Sequence, residues 1–152
     1  LSSNTSFIDF RSLRFPGLIS AHTVPSGGTS DFIPEMWHSI KNNNSYECFV
    51  SENSRIPFLA MPDAIDAINT LMNADKASSR IYNVTSFNPS AKEFFELIKK
   101  DYPKSKLTYN INDVRQKIVD SWPSNIDDSL ANKEWGWMPK YDLNKTIDYL
   151  KG

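Results

Sequence analysis

A single cysteine, Cys48, stands in 152 residues, so no disulfide closes within the chain. It lies in YECFV, where the alternation predicts a strand and a buried structural thiol. Glycine is scarce too, at five residues, and none falls in the Gly-x-Gly-x-x-Gly or P-loop spacing that cradles phosphates. The two histidines, His22 and His38, have no metal-ligand spacing around them and read as solvated or core side chains. Neither sign of charge dominates: 17 Lys and Arg against 18 Asp and Glu leave a net charge of -1. That excludes the basic field by which proteins concentrate nucleic acid or an anionic membrane, and both partners are set aside. No apolar run approaches the roughly 20 residues that span a bilayer, and LSSNTS lacks the charged-then-apolar layout of a signal peptide. A soluble, intracellular protein is expected.

What is present suits one core. The chain is 39% hydrophobic and 23% charged, and a strand pattern begins almost at Leu1, as in a piece of a larger protein. Residues 7–15 predict a strand carrying Phe7, Ile8, Phe10, Leu13 and Phe15, ended by Pro16-Gly17. After a loop with Pro25, Gly27 and Gly28, the residues Phe32, Ile33, Met36, Trp37 and Ile40 fall at helical spacing behind Ser30 or Asp31 as N-cap. Residues 46–50 and 56–61 predict two more strands. Pro62-Asp63 opens a helix whose stripe, Ala64, Ile65, Ile68, Leu71 and Met72, is expected to face the core, with Asp63 as a first-turn acid. A strand over 81–85, a helix from Asn88-Pro89, an edge strand over 106–111, a helix over 114–119 broken at Trp122-Pro123 and a last helix from Asp142 complete the pattern. Asp127 and Asp128 are read as caps of a short helical stretch. The order of strands and helices places the chain in the α/β or α+β class.

The best functional lead is the turn Gly27-Gly28-Thr29-Ser30, which opens directly into a helix. Exposed N–H groups of a first helical turn carry partial positive charge, and glycine lets backbone approach a ligand closely. The turn is therefore a candidate for holding an anionic group.

Five strings, RSLRFPGLIS, PSGGTSDF, MPDAI, RQKIVDSWPSNIDDS and EWGWMPKYDL, occur in this order. Together they resemble the C-terminal half of the short-chain-dehydrogenase type of L-threonine 3-dehydrogenase, of the extended short-chain dehydrogenase superfamily with its epimerases and dehydratases. The resemblance covers essentially the whole chain, 1–152. It implies the end of a Rossmann-type α/β fold, in which residues 7–15 form a late parallel strand and much of the rest a smaller substrate-binding lobe. It implies that the cofactor's glycine-rich loop and the catalytic Tyr-x-x-x-Lys pair lie upstream, so this portion is expected to hold neither and to be inactive alone. It further implies NAD as cofactor, L-threonine as substrate, a homodimer when full length, and the cytoplasm, or the mitochondrial matrix in a eukaryote.

Oxidising the β-hydroxyl of threonine needs a base and a hydride acceptor, and what is left for this portion is holding a small zwitterion in place. The resemblance assigns the substrate carboxylate to the amides around Gly28 and the hydroxyl of Ser30, an apolar lid to Trp122, and a backbone contact with the nicotinamide end of NAD to Leu18. Two positions depart from the family pattern: Ser30 replaces a threonine, and Ala60 a tyrosine, which puts the size of the pocket in question. A nucleotide-sugar enzyme of the same fold is the competing reading. Its diphosphate calls for arginines, and Arg55 and Arg115 are the candidates. A non-catalytic interaction module is the third.

Overall fold

The computed structural model describes residues 9–152. Its elements are β1 (Ser12–Arg14), β2 (Gly17–Ile19), α1 (Phe32–Ile40), β3 (Tyr46–Cys48), β4 (Phe58–Ala60), α2 (Met61–Met72), β5 (Ile81–Asn83), α3 (Ala91–Ile98), β6 (Leu107–Tyr109), α4 (Asp113–Asp120), α5 (Ser129–Trp135) and α6 (Leu143–Lys151). The strands pair in parallel, β1 with β5, β2 with β4 and β3 with β6. Helices intervene between the paired strands, as parallel pairing requires, and the class is α/β.

The run expected over 7–15 is described from Asp9, and Phe7 and Ile8 lie outside the described residues. Pro16-Gly17 does not end it as expected. The chain changes partner there: β1 lies beside β5, and β2, beginning at Gly17, lies beside β4 with Gly17 opposite Phe58. A proline at the junction cannot donate to a ladder, so the break in pairing falls on it. Gly17 is required by packing, because a Cβ at that position would come within 2.7 Å of the Phe58 ring.

Two hydrophobic clusters lie on opposite sides of β4, whose successive residues point to opposite faces. Phe58 joins Phe32, Ile33, Met36, Trp37 and Ile40 of α1, with Phe94, Phe95 and Ile98 of α3. Leu59 joins Ala64, Ala67 and Leu71 of α2, with Tyr82, Trp135 and Trp137. Cys48 is fully buried in the first cluster, and burial pushes its thiol up to about 11. Helix α3 starts at Ala91, two residues beyond the Asn88-Pro89 signal, because Ser90 and Glu93 form a reciprocal capping box.

The stripe expected to bury on α2 is only partly buried. Asp63, Ala64, Ala67 and Leu71 face inward, while Ile65, Ile68 and Met72 stay 53%, 44% and 73% exposed. Asp63 sets this rotation. Its buried carboxylate accepts the N–H groups of Lys140 at 3.0 and 3.1 Å and of Tyr141 at 2.9 Å, and the small Ala64 and Ala67 let the helix lie close to the strands. Among the described residues no helix is long and apolar enough to cross a membrane.

Candidate functional site

Where the chain leaves β1 for β2, a cleft of about 300 Å³ opens. Its walls are Phe15, Pro16 and Gly17 from the strand junction, Ser30 from the glycine turn, Ile56 and Pro57 ahead of β4, and Trp122, Pro123 and Ile126 from the segment after α4. It lies beyond the carboxyl end of β1, the general location of ligands in parallel α/β sheets. The lining carries no charged side chain; Ser30 supplies a hydroxyl in an otherwise apolar wall. Trp122, 38% exposed, is part of this lining.

The turn that presents Ser30 is held from within. Asp31 takes the N-cap position of α1, yet its carboxylate makes no cap bond there. It reaches back and accepts the N–H of Gly28 at 2.8 Å and of Ser26 at 3.2 Å, while its own N–H donates to the Gly28 carbonyl at 3.0 Å. The Gly28 amide, assigned from sequence to a substrate carboxylate, thus already serves a carboxylate of the protein. The same acid occupies the space a side chain at Gly28 would need, with its oxygens 3.2 Å from an added Cβ. Among the described residues the N–H groups of Thr29 and Ser30 have no acceptor.

The opposite wall is fixed by amide side chains. Asn88 Nδ2 donates to the Ser124 carbonyl at 2.7 Å, and Asn83 Nδ2 to the Asp127 carbonyl at 3.1 Å. Arg55 in turn donates to the Asn88 carbonyl at 2.9 Å and pairs with Glu93, whose carboxyl is held below its usual range by that guanidinium. These bonds set the height of the segment bearing Trp122 over the sheet.

No family model matches the chain. It is 38% identical over 142 residues to a mitochondrial L-threonine 3-dehydrogenase of Bos taurus, a match covering 92% of this chain and 38% of that protein. An uncharacterised epimerase/dehydratase of Staphylococcus haemolyticus is 41% identical over 139 residues, 90% of this chain and 44% of that one. The apo structure of a GalE-like L-threonine dehydrogenase from Cupriavidus necator superposes with a TM-score of 0.89 at 38% identity, over 95% of this chain and 53% of the other. Nine tenths of the chain is thus similar to L-threonine 3-dehydrogenases and to epimerase/dehydratases alike. The chain spans between about two fifths and half the length of these relatives, the extent of one half of an extended short-chain dehydrogenase.

Ser30 and Trp122 line the same cleft. Leu18 and Gly28 are absent from its lining. Leu18 lies mid-strand opposite Leu59 and packs against the second cluster, which leaves its backbone for any ligand contact. Ala60 is fully buried at the end of β4 and is absent from the lining of the cleft. The literal Tyr-x-x-x-Lys spacing, expected to be absent, occurs twice, at Tyr102–Lys106 and Tyr141–Lys145. Neither is placed for proton transfer at the cleft. Tyr102 and Lys106 lie outside any helix, with the Tyr102 ring edge-on to Trp37 at 5.8 Å. Tyr141 precedes the Asp142 cap of α6 and packs on Tyr149, and Lys145 Nζ donates to the Lys140 carbonyl at 3.3 Å. Asp127 and Asp128 do structural duty, accepting the Ser129 N–H at 2.9 Å and the Trp137 indole N–H at 3.0 Å.

Sequence reasoning missed Phe15, Pro16, Gly17, Ile56, Pro57, Pro123 and Ile126. The signal available was a proline immediately before each of two short strands, Pro16 before β2 and Pro57 before β4. Only parallel pairing in register brings those two prolines to the same edge.

Proposed function

We propose that the chain is the substrate-side half of an NAD-dependent L-threonine 3-dehydrogenase, which converts L-threonine and NAD to 2-amino-3-ketobutyrate and NADH. The cofactor loop and the catalytic Tyr-x-x-x-Lys pair then come from residues other than these 152, and the chain alone is inactive. One observation carries the reading: Ser30 and Trp122 share an uncharged cleft at the carboxyl end of β1. Both arginines that a diphosphate would call on are engaged elsewhere, Arg55 by Glu93 and the Asn88 carbonyl, Arg115 by the Gly27 and Gly28 carbonyls. A small amino acid fits such a lining better than a nucleotide sugar does.

Within this half the substrate carboxylate falls to the Ser30 hydroxyl and the Thr29 and Ser30 amides, at the positive end of α1. Gly28 contributes by shaping that turn. Trp122 covers the threonine methyl and keeps water from the reacting carbon. NAD, when bound, accepts the hydride, and of these residues Leu18 would meet its nicotinamide end through the backbone; the apolar lining suits that ring. A homodimer located in the cytoplasm, or in the mitochondrial matrix of a eukaryote, completes the proposal.

The test uses the full-length protein and follows NADH absorbance with L-threonine. Ser30→Ala removes a hydrogen bond to a charged group and is expected to raise KM about tenfold or more. Trp122→Ala is expected to lower kcat/KM by a similar or larger factor. Thermal stabilisation by UDP-sugars, with none from L-threonine plus NAD, overturns the assignment.

A further inference from the structure

Arg115 sits in the first turn of α4, where its backbone N–H donates to the capping Asn112 side chain at 3.0 Å. Its guanidinium lies 3.2 Å over the centre of the Phe49 ring and donates through Nη2 to the Gly28 carbonyl at 2.6 Å and the Gly27 carbonyl at 3.2 Å. The base of this arm is rigid. Phe49 is nearly buried and packs edge-on against Phe32 of α1, and the neighbouring Gln116 accepts the Ser51 N–H at 2.7 Å. The other end is a loop: residues 20–30 form no strand or helix, Gly27 has a φ of +90°, and the Asp31 bonds tie the turn to the start of α1 but not to α4. A planar, always charged group that stacks on an aromatic ring and reaches two carbonyls at once is a task for arginine and not for lysine.

We infer that Arg115 is a positioning residue for the candidate cleft: it fastens the twin-glycine turn to α4 and so fixes Ser30 in relation to Trp122, which follows the same helix. This rests on the reading of the cleft given above. Arg115 is not among the residues lining the cleft, so its removal leaves every lining group in place and changes only their spacing. Misplacement of this kind weakens orientation without deleting a contact.

The full-length protein provides two readouts. In Arg115→Ala, hydrogen exchange of the amides of residues 28–31 is expected to quicken about tenfold, with the α4 amides beyond the first turn unchanged. In the same variant KM for L-threonine is expected to rise about tenfold, kcat and the KM for NAD changing less than about threefold. Millimolar guanidinium is expected to restore both exchange and KM in Arg115→Ala, and Arg115→Lys to remain impaired. Unchanged exchange at 28–31, or KM values for threonine and NAD that rise together, overturns the inference. A wild-type protein that does not oxidise threonine sinks the functional reading alone, and the exchange experiment still decides whether Arg115 holds the turn.

Discussion

The cluster around α1 and α3 and the cluster around α2 are built from the same material, helices with apolar stripes laid on short parallel strands, and they differ in closure. In the first, Phe94, Phe95 and Ile98 of α3 meet α1 and Phe58 and are buried. In the second, α2 buries Ala64, Ala67 and Leu71 and leaves Ile68 and Met72 open beside the exposed Phe10, with Ile65 exposed as well. Periodicity sees two equivalent stripes. A stripe records which side of a helix is apolar, and says nothing of whether the partner for every part of that side lies within the same residues. The half-open helix flanks the strand at whose end the cleft lies, and the closed cluster carries the helix that presents Ser30.

The sharpest way to break this comparison is truncation on each side. Phe94→Ala empties a fully buried ring site and is expected to cost about 3–5 kcal/mol in urea denaturation. Ile68→Ala, on the open stripe, is expected to cost under about 1 kcal/mol in these 152 residues and clearly more in the full-length protein, where the proposed cofactor-binding part covers it. Equal costs in both settings would remove the distinction.

The strand junction between the two clusters comes next. Gly17→Ala drives a methyl into the Phe58 ring, and a loss of about 1–3 kcal/mol is expected on thermal melting, unless the ring can turn away.

A smaller effect is expected in the second cluster. Glu134 accepts hydrogen bonds from Ser78, Tyr82 and the Ser79 N–H, and these lower its carboxyl to about 2 from an ordinary 4.5. A folded value below the unfolded one means that its contribution is complete above the ordinary value and is lost as pH falls toward the folded one. The acid limb of the stability curve is expected to flatten over that window in Glu134→Gln, and an unchanged limb would show that the carboxylate is idle.

Much of the fold was legible. The strands and helices were anticipated in order except β2, which was read as loop after Pro16-Gly17, and Asp142 was correctly read as the start of the last helix, because caps and apolar spacing are local properties of the chain. The site was legible in part. Ser30 and Trp122 came from a family resemblance, and the structure puts them in one cleft. What failed were statements that depend on choices between partners. Asp31 could cap its own helix or reach back to Gly28, and the sequence is the same either way. The prolines at 16 and 57 read as breakers, and only the register of β2 against β4 makes them neighbours.

Strand β4 passes into α2 with no linker, Ala60 ending one and Met61 beginning the other. A hinge is therefore missing at that corner, and helix and strand turn as a single lever. Adding one residue there would swing every α2 side chain by about 100°, pulling the Asp63 anchor from beneath Lys140 and Tyr141 and bringing the Asp66 carboxylate to where Ala67 is now buried. Family members that differ in length are thus expected to place their insertions elsewhere, and the corner sets the gauge to which the neighbouring loops must conform.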